Sequence, residues 1–180
     1  MEPGTLLALA AAVLVGVRLW DRWLWRLPAL HPWPVRRPDL EGTWAGFLQS
    51  TWRAPETGER MPSIDTCLVV RQTFWGLRAS LITRESRSQA ILAGIHRDEE
   101  GCHLWIVYRN EPQLAVQDRS RAHRGCALLR LGHGEAGAPT LAGPYWTDRE
   151  TAGEIRLHRI TREHLDDRER AMEAARLAAR

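Results

Sequence analysis

Residues 3–17 carry no charge, and the run is closed by Arg18, Arg22 and Arg26 with Trp20, Trp23 and Trp25 interleaved. A helix over residues 3–25 rises ~1.5 Å per residue and reaches across a hydrocarbon core of ~30 Å, with Arg18 snorkelling to the headgroups and the tryptophans in the interfacial belt. A secretory signal peptide fits less well: Glu2 stands where a cation is expected and no A-x-A cleavage site follows. Arg18, Arg22, Arg26, Arg36 and Arg37 lie after the span and only Glu2 before it, so the flanks predict an outside amino terminus and a cytoplasmic remainder. Residues 23–38 contain four prolines among Trp, Leu and Arg, which suits an interfacial segment turning off the membrane.

From Gly42 the pattern changes to short runs separated by turn residues. Eight strands are expected, over 43–52, 65–73, 75–83, 89–96, 103–109, 126–131, 141–147 and 154–160. Tight joins at 74–76 and 97–101 argue for an antiparallel meander, and eight strands suffice to close a lipocalin-like barrel with no exposed edge. The polar crossing 110–124 is the candidate lid, and 132–139, with three glycines and a proline, is a flexible turn. Residues 161–180 read as one helix capped at Thr161, with sparse apolar positions at Leu165, Met172, Ala175 and Leu177. The domain reading is therefore an anchor over 1–26, a linker over 27–40, an all-β barrel over 41–160 and a helical tail over 161–180.

Composition narrows the chemistry. All 25 basic residues are arginine and the net charge is only +3, so the basicity makes no case for DNA binding. Three cysteines without a CxxC pair suit a reducing compartment. The histidines lack metal-ligand spacing, and no P-loop, Rossmann fingerprint, GxSxG or HExxH occurs. Neither an enzyme nor a cofactor is advertised.

Alternation places Trp44 on one face of the first strand with Ser50, and Tyr108 with Asn110 on one face of the fifth. Gln72, Thr83, Ser86 and Ser88 cluster around the following turns, and Tyr145, Thr147 and Arg149 leave the seventh strand on one side. A hollow lined by Trp44, Gln72, Thr83, Ser86, Ser88, Tyr108, Asn110, Tyr145, Thr147 and Arg149 would suit a ligand with flat rings and phosphates, since aromatics stack bases, amides read edges, and arginine and hydroxyls hold phosphate oxygens. The competing reading is that they cap strands and face water.

The ordered segments Gly42-Thr43-Trp44-Ala45-Gly46, Ser50-Thr51-Trp52, Gln72, 83–88, Tyr108-Arg109-Asn110-Glu111-Pro112, His123-Arg124-Gly125 and 143–153 resemble the SMODS-associating, β-strand-rich membrane effectors. These are the barrel effectors associated with CD-NTases in bacterial CBASS anti-phage defence. The resemblance implies a barrel that binds a cyclic di- or oligonucleotide made by a partner CD-NTase, self-associates, and disrupts the inner membrane in abortive infection. It implies no catalytic residue, and it points to the segments around Thr83, Tyr108 and Tyr145 as ligand contacts. The family has two membrane helices, whereas this chain shows one span and the proline-broken stretch; the barrel's side of the membrane is the same either way. The alternative is a membrane-tethered, lipocalin-like carrier of a hydrophobic ligand, which requires an apolar hollow.

Overall fold

The computed structural model describes every residue except Met1, Pro32, Pro55, Arg119, Glu135, Ala136, Ala179 and Arg180. These eight fall partly within the expected linker, lid, glycine-rich turn and tail, and those positions lie outside the described residues. The chain divides into two compact units, one of residues up to Asp39 together with Gln72–Leu77, the other of Leu40–Arg71 and Arg78–Arg180.

The first unit opens with helix α1, Pro3–Arg22. Pro3 fits the first turn, where its missing N–H costs nothing, and Thr5 Oγ1 donates to the Glu2 carbonyl at 2.6 Å. None of its 20 residues is buried, and it is the one helix among the described residues long and apolar enough to cross a membrane. It ends three residues before the expected Trp25, and short 3-10 turns follow at Leu24–Arg26 and Pro28–Leu30. The proline-rich stretch therefore forms no second span of helix among the described residues.

The second unit is a closed antiparallel barrel in sequential order. Its strands are β1 (Gly42–Ser50), β2 (Ile64–Gln72), β3 (Leu77–Ile82), β4 (Ser86–Asp98), β5 (Gly101–Pro112), β6 (His123–His133), β7 (Pro139–Thr147) and β8 (Ala152–Thr161). All eight expected strands are present, and β4 and β5 are longer than expected because their ladder runs unbroken from Ser86 opposite Pro112 to Asp98 opposite Gly101, apart from a bulge between Ala90 and Leu92. At that turn Asp98 Oδ1 accepts the backbone N–H groups of Glu100 and Gly101, and Gly101 supplies a φ of +134° that a side chain would resist.

Alternation decides what fills the barrel. Trp44, Leu68, Val70, Leu104, Leu129, Leu141, Ile155 and Leu157 point inward and are all but completely buried. Arg159 stacks its guanidinium 5.5 Å from the Trp44 ring centroid, and the Trp44 indole donates to the Leu40 carbonyl at 3.0 Å. These side chains fill the base of the barrel, whereas Gly46, Leu48, Ser50, Gly143 and Gly153 on the same inward face are partly exposed towards the other end.

The tail corrects a second expectation. β8 continues to Thr161, and the helix, α2, covers only Arg168–Ala178. Asp167 caps it by accepting the Glu169 N–H at 2.8 Å, while Thr161 remains in the ladder opposite Thr43. The connecting segment is pinned to the barrel: Thr43 Oγ1 donates to the Glu163 carbonyl at 2.6 Å and accepts the Leu165 N–H at 2.9 Å. Ala171 then closes on Cys67, Val69 and Ile82 from outside, with Ile160, Leu165 and Met172 around them. The apolar positions are sparse because one small residue faces a sheet that already supplies the larger ones.

Candidate ligand site at the barrel mouth

In a sequential antiparallel barrel, odd strands end where even strands begin. Thr83 follows β3, Ser86 and Ser88 open β4, Tyr108 and Asn110 close β5, Tyr145 and Thr147 close β7, and Arg149 lies in the turn after it. These eight share one end of the barrel. Register carries them around the mouth: Ser88 lies opposite Asn110, Tyr108 opposite Gly125, Gly125 opposite Thr147, Tyr145 opposite Gly153, and Gly153 opposite Ser50.

Trp44 and Gln72 do not belong with them. Trp44 lies near the start of β1 and Gln72 is the last residue of β2, so both sit at the other end of their strands. Trp44 is fully buried, and Gln72 Nε2 donates to the Pro38 carbonyl at 2.9 Å.

Two glycines make room for the mouth's aromatic rings. A Cβ on Gly125 would stand 2.5 Å from Tyr108 Cζ, and one on Gly153 would stand 2.5 Å from Tyr145 Cε1. Only a bare backbone lets either ring approach so closely. Burial pushes both phenols above their ordinary value; the neighbouring Tyr145 adds to the shift at Tyr108, and a hydrogen bond with Ser50 partly offsets it at Tyr145. Both hydroxyls are therefore neutral at physiological pH and able to donate as well as accept.

Beside the tyrosines lies a polar network. Asn110 Nδ2 donates to Ser86 Oγ at 2.9 Å and to Ser88 Oγ at 2.8 Å, while Thr83 and Ser86 share a hydrogen bond between hydroxyls at 3.1 Å. Asn110 Oδ1 is buried and has no hydrogen-bond partner among the described residues. The Thr83 hydroxyl also accepts the Ser86 N–H at 3.1 Å, closing the short turn between β3 and β4.

The loops complete the site. The expected lid is shorter than 110–124, because β5 extends to Pro112 and β6 begins at His123. Its remainder is tied to the β3–β4 turn through Gln113, whose N–H donates to the Glu85 carbonyl at 2.8 Å and whose side chain donates to the Arg84 carbonyl at 3.0 Å. Asp118, Arg121 and Ala122 from this loop, with Asp148 and Arg149 from the β7–β8 turn, line an open cavity of about 480 Å³. Asp148 Oδ2 accepts the Arg124 N–H at 3.0 Å and the Asp148 N–H donates back to the Arg124 carbonyl at 3.0 Å, which locks that turn to the start of β6. Thr147 Oγ1 bonds Thr151 Oγ1 at 2.7 Å across the same turn, and Glu150 adopts a φ of +58° between them. Two guanidiniums in a concave, solvent-open site are suited to phosphate oxygens, and neutral phenols and amides beside them to base edges.

Arg121, Asp118 and Asp148 were absent from the sequence-derived set. No motif marks them, but the parity of the strands does, since the connections after the fifth and seventh strands must both lie at this mouth.

Residues 35–159 match the family model described as the Cap15 cyclic dinucleotide receptor domain. The chain belongs to the Cap15 cyclic dinucleotide receptor family. Its membership agrees with the CBASS effector resemblance read from the sequence, and the match spans every strand of the barrel except the last residues of β8. The chain is also similar to CD-NTase-associated protein 15 of Staphylococcus schleiferi, at 26% identity over 138 residues, covering 77% of this chain and 68% of that protein.

Proposed function

We propose that this protein is a membrane-anchored receptor that binds a cyclic dinucleotide across the barrel mouth and acts by assembly, with no catalytic step. The phosphates are held by Arg149 and Arg121, and the bases rest against Tyr108, Tyr145 and the Asn110–Ser86–Ser88 network, with Thr83 and Thr147 supporting the two turns. The observation that carries this reading is convergence: eight residues from three stretches of the chain meet at one mouth, where Arg149 joins Arg121, Asp118 and Asp148 around a cavity of about 480 Å³. A dinucleotide presents two phosphates and two flat bases, and the site offers partners for both kinds of group.

The anchor supports the remainder of the proposal. The arginines that follow α1 favour a cytoplasmic barrel at the bacterial inner membrane, the side on which a CD-NTase releases its product. Tethering to a bilayer raises the effective concentration of neighbouring copies, so a modest ligand-linked preference suffices to bring anchors together and disrupt the membrane. The polar network and the two arginines at the mouth favour this reading over a carrier of hydrophobic cargo.

The test is calorimetric titration of the solubilised full chain with a panel of cyclic dinucleotides. One of them should bind, and Arg149→Ala and Arg121→Ala should each weaken it by about tenfold or more while leaving the melting temperature in place, as expected for charge-assisted hydrogen bonds worth ~1.5–3 kcal/mol. Binding untouched by both substitutions places the ligand elsewhere.

A further inference from the structure

Within the first unit the end of α1 is capped by a distant part of the chain. Helix ends leave carbonyls without intrahelical partners. At Asp21 the carbonyl accepts the Phe74 N–H at 2.8 Å and the Trp25 indole N–H at 3.1 Å, and the Asp21 carboxylate accepts the Trp75 N–H at 3.1 Å. The Phe74 ring meets Trp20 and Trp25 edge-on, at centroid distances of 5.5 and 6.0 Å. Arg26 donates to the Gln72 carbonyl on the same turn.

Two features of this contact are not explained by folding needs alone. Asp21 is the sole acid in residues 3–38, and it stands in the last turn of a helix, where the macrodipole disfavours negative charge. The turn between β2 and β3 needs only small or polar residues to reverse the chain, yet it carries Phe74 and Trp75. Thr73 and Gly76 already close it, through Thr73 N to the Gly76 carbonyl at 2.8 Å and Gly76 N to Thr73 Oγ1 at 2.9 Å.

We propose that this contact is the relay by which nucleotide binding reaches the anchor, with Asp21 and Phe74 as positioning residues; the proposal rests on the receptor reading above. β3 is the connection. It starts at Leu77, directly after the turn, and ends at Ile82, directly before Thr83 in the mouth network. Six residues of strand span ~20 Å and resist extension along their axis. A displacement of the Thr83–Ser86 turn by ligand is therefore carried along β3 to the residues that hold Asp21.

The experiment measures two quantities on the full chain in lipid nanodiscs or micelles: affinity for the cyclic dinucleotide at a protein concentration too low for assembly, and the nucleotide concentration that half-assembles the protein at high concentration. Asp21→Ala, which removes the acceptor for Trp75 and keeps the carbonyl for Phe74, is expected to bind as the parent does but to need about tenfold more nucleotide to assemble. Phe74→Ala is expected to do the same, and Asp21→Ala decides alone if Phe74→Ala lowers the barrel's melting temperature. Unchanged assembly in Asp21→Ala overturns the relay, and so does loss of nucleotide affinity, which would make the contact part of the site's own fold. A parent protein that binds no cyclic dinucleotide fails the receptor reading instead, and the relay falls with it.

Discussion

Tyr145 occupies the space that a side chain on Gly153 would need: a Cβ there would stand 2.5 Å from the ring's Cε1 and 2.9 Å from its hydroxyl oxygen. The pairing makes Gly153 a residue of the mouth although it offers no functional group. Gly153→Ala must displace the ring or bend the strand against the Gln49 carbonyl, and overpacking of this kind costs ~1–3 kcal/mol. The expected result is a lower denaturation midpoint together with weakened nucleotide binding. Unchanged binding in the alanine variant would show that the ring's position does not matter to the ligand.

The Glu150 backbone is held at a φ of +58°, a region that costs a non-glycine residue ~1 kcal/mol or more. Glu150→Gly relieves that cost and is expected to leave the midpoint of urea unfolding unchanged or raised. The same change loosens the turn that carries Arg149, so nucleotide affinity should fall while stability does not. A loss of stability with intact affinity would contradict this division of roles.

Cys67 lies beneath α2, fully buried against Ala171, and burial is the main cause that pushes its thiol up to about 11. Only roughly one thiol in a thousand would be ionised at pH 8, even before access is considered. Iodoacetamide should therefore modify the partly exposed Cys126 well before Cys67 in the folded protein. Truncation before Arg168 should speed labelling of Cys67 by about tenfold or more, as sulfur accessibility rises; mass spectrometry of the alkylated peptides reads both sites.

Asp166 ties the same tail to the barrel through Arg71, and the hydrogen bond from that guanidinium is the largest cause holding the carboxyl below its usual range. A carboxyl depressed in the folded state contributes stability above its unfolded value and loses it as the pH falls through the folded one. Docking of the tail should thus weaken as the pH drops below about 4, the ordinary carboxylate value. Hydrogen exchange across residues 168–178 should rise over that interval in the parent protein. In Arg71→Ala the exchange should already be raised at neutral pH and should depend less on acid.

Strand content was legible because a half-buried sheet writes a period of two into the chain, as in Ile155, Leu157 and Arg159 inward against Glu154, Arg156 and His158 outward. The same alternation hid the depth of the barrel. It assigns Trp44 and Ser50 to one face, yet it is silent on whether a residue lies at the mouth or at the base, so it groups Trp44 and Gln72 with residues at the opposite end. Strand parity supplies the missing coordinate. It separates these two from the eight residues that converge, and it brings in Arg121 and Asp148, whose loops carry no pattern of their own. Thr161 and Asp167 are both acceptable caps, and the choice between them was made by Thr43, whose hydroxyl bonds both Glu163 and Leu165 and holds that stretch against the barrel.

The column of side chains from Trp44 upward has a mechanical consequence. A filled base cannot serve as a piston, so under the receptor proposal a guest settling on the rim would have no plunger to push and only the staves would be free to lean. On that proposal, the signal to the lipid would travel in the walls.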